Sequence, residues 1–319
     1  MAFCINNKKG FTLVELMITM AVVGIIMAAV VAAFDVQQKS QVKQQLISEV
    51  QQNARAAMYL LAWDVRMAGY ALGEGKISVP VDDGTDWYVI KAIEIIPNGN
   101  TDMVEILYAD SRVKSNLTAD MPGPSAEWKV DDTTGFNDCD LVIISDVEHS
   151  AVLEITHVQD GHALQHNPSA CSGLNPVGGT TWKDNKPFGV GAEVHKLRYM
   201  TYSIQGAGTA NPWLGLDRNG SLGGYSFERF VDDIEDLQAV YIFEDEDEAN
   251  NYNDADMDDT NDFDDIRAVR ITIVARTRVQ NEGFKGSRKP ALEGNPAGPP
   301  DWYGRRVLSL ELKIRNIDL

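Results

Sequence analysis

The chain has 319 residues, with 28 lysines and arginines against 47 aspartates and glutamates, a net charge of -19 and 44% hydrophobic content. That balance argues against a nucleic-acid backbone as the main partner, because phosphate binding needs a basic surface. The hydrophobic share is enough for one sizeable core or two modest ones.

Lys8 and Lys9 precede an apolar run, residues 11–34, whose single formal charge is Glu15. At about 1.5 Å per residue a helix of that length crosses the roughly 30 Å hydrocarbon layer. An acid costs about 2.5 to 3.5 kcal/mol at the bilayer centre and less near an end, so Glu15 asks for a partner. A secretory signal peptide would have a shorter apolar core, roughly 7 to 15 residues, followed by a small-x-small cleavage site. Here the run passes without a loop into VQQKSQVKQQLISEVQQNARAAMYLLAWDVRMAGYALG. In that continuation Val42, Leu46, Val50, Ala54, Ala57, Met58, Leu61 and Val65 fall three or four apart, as one helix face requires. No proline occurs before Pro80. The pattern therefore predicts one helix from about residue 11 to about residue 68, apolar over 11–34 and amphipathic over 35–72, stopping near Gly69 and Gly73. The lysines before the span predict a cytoplasmic N-terminus and an exported remainder.

The stretch Gly10-Phe11-Thr12-Leu13-Val14-Glu15, behind a basic leader and ahead of an apolar span, resembles the class III signal of type IV prepilins and of the pseudopilins of type II secretion. The resemblance implies a leader, residues 1–10, cut after Gly10 by the prepilin peptidase on the cytoplasmic side. Phe11 would then become an N-methylated N-terminus, and the apolar segment would stay as the anchor. The resemblance also implies that Glu15 meets the N-terminal amine of a neighbouring subunit during filament assembly, satisfying both charges in a low-dielectric bundle. An ammonium on Phe11 would lie one helical turn from Glu15 on the same face. The competing reading of Glu15 is a carboxylate that snorkels to the interface. Many major pilins carry a proline within this helix, whereas alanine and valine fill that part here.

After Pro80 the pattern changes to short alternating runs bounded by Gly, Asn, Asp and Pro, which read as strands and turns. The predicted strands are 87–96, 103–108, 140–158, 193–204, 237–243, 266–276 and 307–315. Neither face of 266–276 is cleanly polar, so that strand is expected to be covered on both sides. The fold class that follows is α+β: a long N-terminal helix packed on a mainly antiparallel β head, residues 73–319, in a pilin-like arrangement. With Cys4 in the leader, Cys139 and Cys171 are left as an even pair in an oxidising space and are expected to be joined. Two unrelated buried thiols are the alternative.

More than half of residues 244–265 are acidic, and so many like charges repel unless solvent or a cation neutralises them. Asp254, Asp256, Asp258, Asp262 and Asp265 stand at positions 1, 3, 5, 9 and 12 of a loop of EF-hand spacing, which makes calcium a candidate ligand. Asp259 replaces the turn glycine, the last ligand is a short aspartate, and no helical pattern flanks the segment. A solvated acidic loop is the other reading. His162 and His166 would share a face if helical, but GHALQHNPSAC reads as a loop and argues against a metal site. Gly206-x-Gly208 lacks the third glycine of a dinucleotide fingerprint, and no GxSxG, HExxH or P-loop occurs. Nothing brings the scattered Ser, His and Asp residues together, so no enzyme activity and no required cofactor are expected. Residues 285–300 read as a turn-rich surface connector.

Three later stretches, Trp63 to Tyr70, Asp264 to Ile271 and Arg305 to Asn316, resemble minor pilins of the PilW kind. That resemblance implies a minor pilin that assembles through its N-terminal helix and helps initiate or cap a type IV pilus. Its expected partners are the prepilin peptidase, other minor pilins, the major pilin and the inner-membrane assembly platform, with no nucleic acid. Its expected place is the inner membrane, with the head periplasmic, and then the pilus tip. A GspJ-like pseudopilin of type II secretion, whose head is usually smaller, and a membrane-anchored exported ligand-binding protein or enzyme are the alternatives.

Overall fold

A computed structural model of the chain describes residues 10–72, 77–80, 87–123, 126–146, 150–159, 161–167, 171, 175, 187–218, 224–243, 248–249, 266–292 and 295–314. One unbroken helix, α1 (Leu13–Met67), spans 55 residues, about 80 Å at the usual rise. Its start lies two residues later than the sequence predicts, because Thr12 takes the N-cap in an extended conformation (φ -79°, ψ 152°). Gly69 ends it at φ 74°, where a side chain would be strained, and its N–H donates to the Leu107 carbonyl at 3.0 Å.

The two halves of α1 have different surroundings. Every residue from 10 to 42 is exposed, whereas Leu46, Val50, Ala54, Ala57, Met58, Leu61, Ala62, Asp64 and Val65 are buried. The predicted face is therefore right from Leu46 onward. Val42 is not part of it, being 48% exposed. At that level the neighbouring Lys43 lies over the Phe284 ring at 5.2 Å.

The head is built from antiparallel strands. A two-stranded ribbon pairs β1 (Ile77–Pro80) with β2 (Trp87–Ile90). The predicted strand 87–96 is split, since β3 (Ile93–Asn98) belongs to a different sheet. β4 (Thr101–Asn116) is far longer than the expected 103–108. β5 (Trp128–Lys129) follows. The region predicted as one strand, 140–158, is a hairpin of β6 (Leu141–Ser145) and β7 (Ser150–Glu154), followed by β8 (His157–Gln159). Next come β9 (Ala163–Gln165), β10 (Glu193–Gln205), β11 (Trp213–Asp217) and β12 (Glu228–Asp232). The chain continues through β13 (Ile234–Phe243), β14 (Glu248–Ala249), β15 (Ile266–Arg276) and β16 (Arg305–Lys313).

Strands β12-β11-β10-β4-β3 form a sheet onto which β6 and β7 add beside the first part of β10. A second sheet has the order β14-β13-β15-β16, and β5-β9-β8 form a third. Helix α1 packs on β15 and β16, and β13 packs on β4. The sandwiched position of the second sheet explains why β15 is buried on both faces, with Arg267 alone among its residues exposed, as its two apolar faces predict. Polar groups tie the layers together. The Ala239 N–H donates to Asp102 at 2.8 Å, and the Ile95 N–H donates to the Tyr241 hydroxyl at 2.9 Å. One core holds the helix face and both large sheets, and a second, around Trp128, Phe136, Leu153 and Phe188, lies beneath the small sheet.

Candidate assembly site

The exposed start of α1 is shaped by two residues. Glu15 Oε2 accepts from the Thr12 N–H and from Thr12 Oγ1, each at 3.0 Å, while the Glu15 N–H donates back to Thr12 Oγ1 at 3.3 Å. This is a reciprocal capping box, which satisfies helix-end donors that have no partner within the helix. Sequence reasoning missed it, although Thr followed three residues later by Glu is its signature. Phe11 lies just outside the helix and is 88% exposed. Among the described residues, a Cβ built on Gly10 would meet nothing within 4 Å.

Beyond Glu15 the helix presents Leu16, Met17, Val22, Ile25, Ile26 and Met27 outward. It is the one helix among the described residues long and apolar enough to cross a membrane. The apolar run ends at an exposed ion pair, Asp35 with Lys39 at 3.0 Å. The helix is gripped at its far end by a carboxylate. Asp64 accepts from Tyr108 Oη at 2.7 Å and also from Tyr202 Oη. Burial pushes the Asp64 pKa up, against the two tyrosine hydrogen bonds and the charges of Arg198 and Arg218. An aspartate on the buried face of an amphipathic helix was the visible signal for this site, but its partners lie 44 and 138 residues away.

Cys139 and Cys171 are joined, with Cα atoms 5.4 Å apart. The Cys139 N–H donates to the Ile155 carbonyl at 2.7 Å, which fixes the bridge beside the β6–β7 hairpin. Asp254, Asp256, Asp258, Asp262 and Asp265 lie outside the described residues. Glu248, at the near end of the acidic segment, receives both terminal nitrogens of Arg270 at 2.7 and 2.6 Å. The histidine pair does not share a helical face, and GHALQHNPSAC is not wholly a loop, because Ala163–Gln165 forms β9. His166 is buried against Trp128, with ring centroids 4.6 Å apart, and its Nε2 contacts the Ala126 carbonyl at 2.9 Å. Burial holds its pKa below the usual value. His162, just before the strand, is exposed. No group of three or more metal-ligating side chains occurs among the described residues.

Comparison with known proteins fits the two ends of the chain. Residues 5–31 match the prokaryotic N-terminal methylation motif, and residues 201–316 match the family described as Type IV Pilus-assembly protein W. No curated protein matches the chain. Among solved structures, a type IV-like pilin from Thermus thermophilus superposes with a TM-score of 0.40 at 10% identity, covering 86% of this chain and 97% of that one. The exposed start of the apolar helix thus falls within the methylation motif, and the end of β10 and strands β11 to β16 fall within the region similar to the pilus-assembly family. The N-terminal segment carries a prepilin-type methylation motif, and the second half of the head contains a stretch similar to Type IV Pilus-assembly protein W.

Proposed function

We propose that the chain is a membrane-anchored minor pilin that assembles through α1 and helps initiate or cap a type IV pilus. One observation carries the reading. A single helix is buried in its own head from Leu46 onward, yet exposes an apolar surface over residues 16–34. Such a surface needs lipid or other helices around it. The methylation motif over residues 5–31 implies peptidase processing and association with other pilins. In the finer reading the leader is removed after Gly10, Phe11 carries the methylated amine, and Glu15 leaves its capping box to meet an amine of a neighbouring subunit. The N-terminus stays cytoplasmic while the head is exported and rises to the leading end of the filament. The reading needs no cofactor and no catalytic group.

The test is mass spectrometry of sheared filaments together with labelling of the head. The expected result is a rare chain that begins at Phe11, with label at filament ends. Even decoration along the filament, or an intact Met1, would overturn the reading.

A further inference from the structure

Among the described residues, Lys43 is the first on α1 that is not fully exposed. The 3-10 turn Glu282–Phe284 meets the helix there, with the Phe284 ring 5.2 Å from Lys43 Nζ, and a Cβ on Gly283 would lie 3.0 Å from Lys43 Cδ. The apolar run ends at Phe34, so at the usual rise per residue this end of the head stands about 14 Å along the helix from it. Headgroups extend roughly 5 to 8 Å beyond the hydrocarbon core, and charges are felt about 8 to 10 Å further at moderate salt. The turn is therefore within electrostatic reach of a membrane surface.

That end of the head is basic, in a chain whose net charge is -19. Lys285 and Arg288 follow the turn and are exposed, and Arg306, exposed near the start of β16, lines a cavity with Ile47 and Phe284. The acids nearby are already paired: Asp35 with Lys39 at 3.0 Å, buried Asp236 with Lys289 at 2.8 Å, and Asp301 and Glu235 with Arg305. Arg278 sits in a separate cleft with Asp232 and Asp233, which Glu49 also approaches. Glu282, beside Lys39, is left. Among the described residues no ion pair engages Lys43, Lys285, Arg288 or Arg306, so four cations stand against one acid. Apolar surface accompanies them. Val279 is 54% and Trp302 41% exposed, and the Asn281 N–H donates to the Trp302 carbonyl at 2.9 Å, which places Trp302 beside the turn. Tryptophan favours the boundary between headgroups and acyl chains, and basic groups around it favour anionic lipid.

We propose that this end of the head docks on the anionic phospholipid surface of the membrane that α1 spans, before the subunit enters a filament. Charge complementarity and continuity with the apolar span select lipid as the occupant. The inference rests on the reading of α1 as a membrane span, and its test separates the two. The full chain carrying Cys4→Ser and Gln280→Cys is labelled at its free thiol and placed in nanodiscs whose headgroups carry an acceptor dye. One set of discs is phosphatidylcholine alone, and the other is an equal mixture with phosphatidylglycerol. Energy transfer should be higher in the mixture, and the difference should vanish as salt is raised. Lys285→Gln, Arg288→Gln and Arg306→Gln together should also remove it, each shifting the docked-to-free ratio about fivefold. These side chains are exposed and outside ion pairs, so the melting temperature should not change. Trp302→Ala should lower transfer in both discs. Equal transfer from the native chain in the two discs, or an undiminished difference in the folded triple variant, would overturn the docking and leave the basic surface to an acidic face of a neighbouring subunit. Failure to insert into either disc would overturn the span, and the docking with it.

Discussion

Tyr108 and Tyr202, on the neighbouring strands β4 and β10, donate to opposite oxygens of Asp64, so the buried end of the long helix is held by a carboxylate between two hydroxyls. Burial raises the Asp64 pKa in the folded chain above its ordinary 3.8. A carboxyl raised on folding adds stability that is fully present below the unfolded value and is lost as pH rises through the folded one. Asp64→Asn keeps the shape and removes the titration. The native chain should therefore lose melting temperature relative to Asp64→Asn as pH rises from about 3, and the difference should level off once the carboxylate is ionised. Thermal melts of both proteins across pH read this directly. A constant difference would mean that the carboxyl titrates alike in the folded and unfolded chains.

Asp110 is expected to act with the opposite sign. Burial works against its ionisation, but hydrogen bonds from Arg112 and Arg198 outweigh this and hold its pKa down to about 2. Its contribution is present above the ordinary 3.8 and is lost as pH falls toward about 2. Asp110→Asn should thus destabilise the chain at neutral pH, and the difference from the native protein should shrink in acid. An equal penalty at both extremes would assign the loss to packing.

The Cys139–Cys171 bond spans a sequence separation of 32. The chain-entropy account gives a loop of that size about 3 to 4 kcal/mol of stabilisation. The Cys139→Ala, Cys171→Ala double variant should lose about that much in urea unfolding, where the midpoint should fall and the slope should not decrease, since the freed unfolded chain exposes more surface. Non-reducing peptide mapping that finds both thiols free in exported protein would contradict the bond.

How much of this was legible depended on how local the cause was. The helix could be read because its apolar repeat is set by neighbours three and four residues apart, and the lower boundary of the face was misjudged only at Val42. β11 and β12 escaped. In β11, Gly215 interrupts the run, and a Cβ there would meet Phe227 at 2.9 Å and Gln205 at 3.0 Å. Its presence reflects the close approach of residues ten and twelve positions away on the neighbouring chain, which a window along the strand itself does not reveal. The extension of β4 past Tyr108 was hidden because Asp110, Ser111 and Arg112 have turn-like composition. Asp110 is tolerated in a strand because Arg198, 88 residues later, neutralises it. Glu105 is similar, buried where Tyr199 and Tyr225 donate to it. The cysteine pair was readable by counting, whereas the gathering of Lys43, Lys285 and Arg306 at one end of the head required the fold.

Gly10→Val tests whether the glycine serves the fold or the peptidase. Among the described residues nothing lies within 4 Å of a Cβ at that position, so the substitution should cost the fold nothing. If cleavage follows Gly10, the variant should keep its leader, and N-terminal sequencing should find no new end at Phe11. Efficient cleavage of the variant would remove Gly10 from the processing site.

Glu15 has two candidate roles, and three substitutions separate them. Within the chain it completes a capping box with Thr12, and a glutamine at that position completes the same motif without the charge. Thr12→Val removes the cap, at about 1 kcal/mol at the helix start, and leaves the carboxylate in place. Glu15→Gln keeps the cap and removes the charge. Glu15→Ala removes both and makes the span more apolar, so insertion into the membrane should not suffer. If the carboxylate pairs with the amine of a neighbouring subunit in a low-dielectric bundle, an unpaired ammonium is the costly outcome. Glu15→Gln and Glu15→Ala should then be equally absent from sheared filaments, while Thr12→Val enters them almost normally. Should Glu15→Gln assemble like the native chain, the capping box would be the whole role of Glu15, and the charge would be an incidental passenger near the membrane surface.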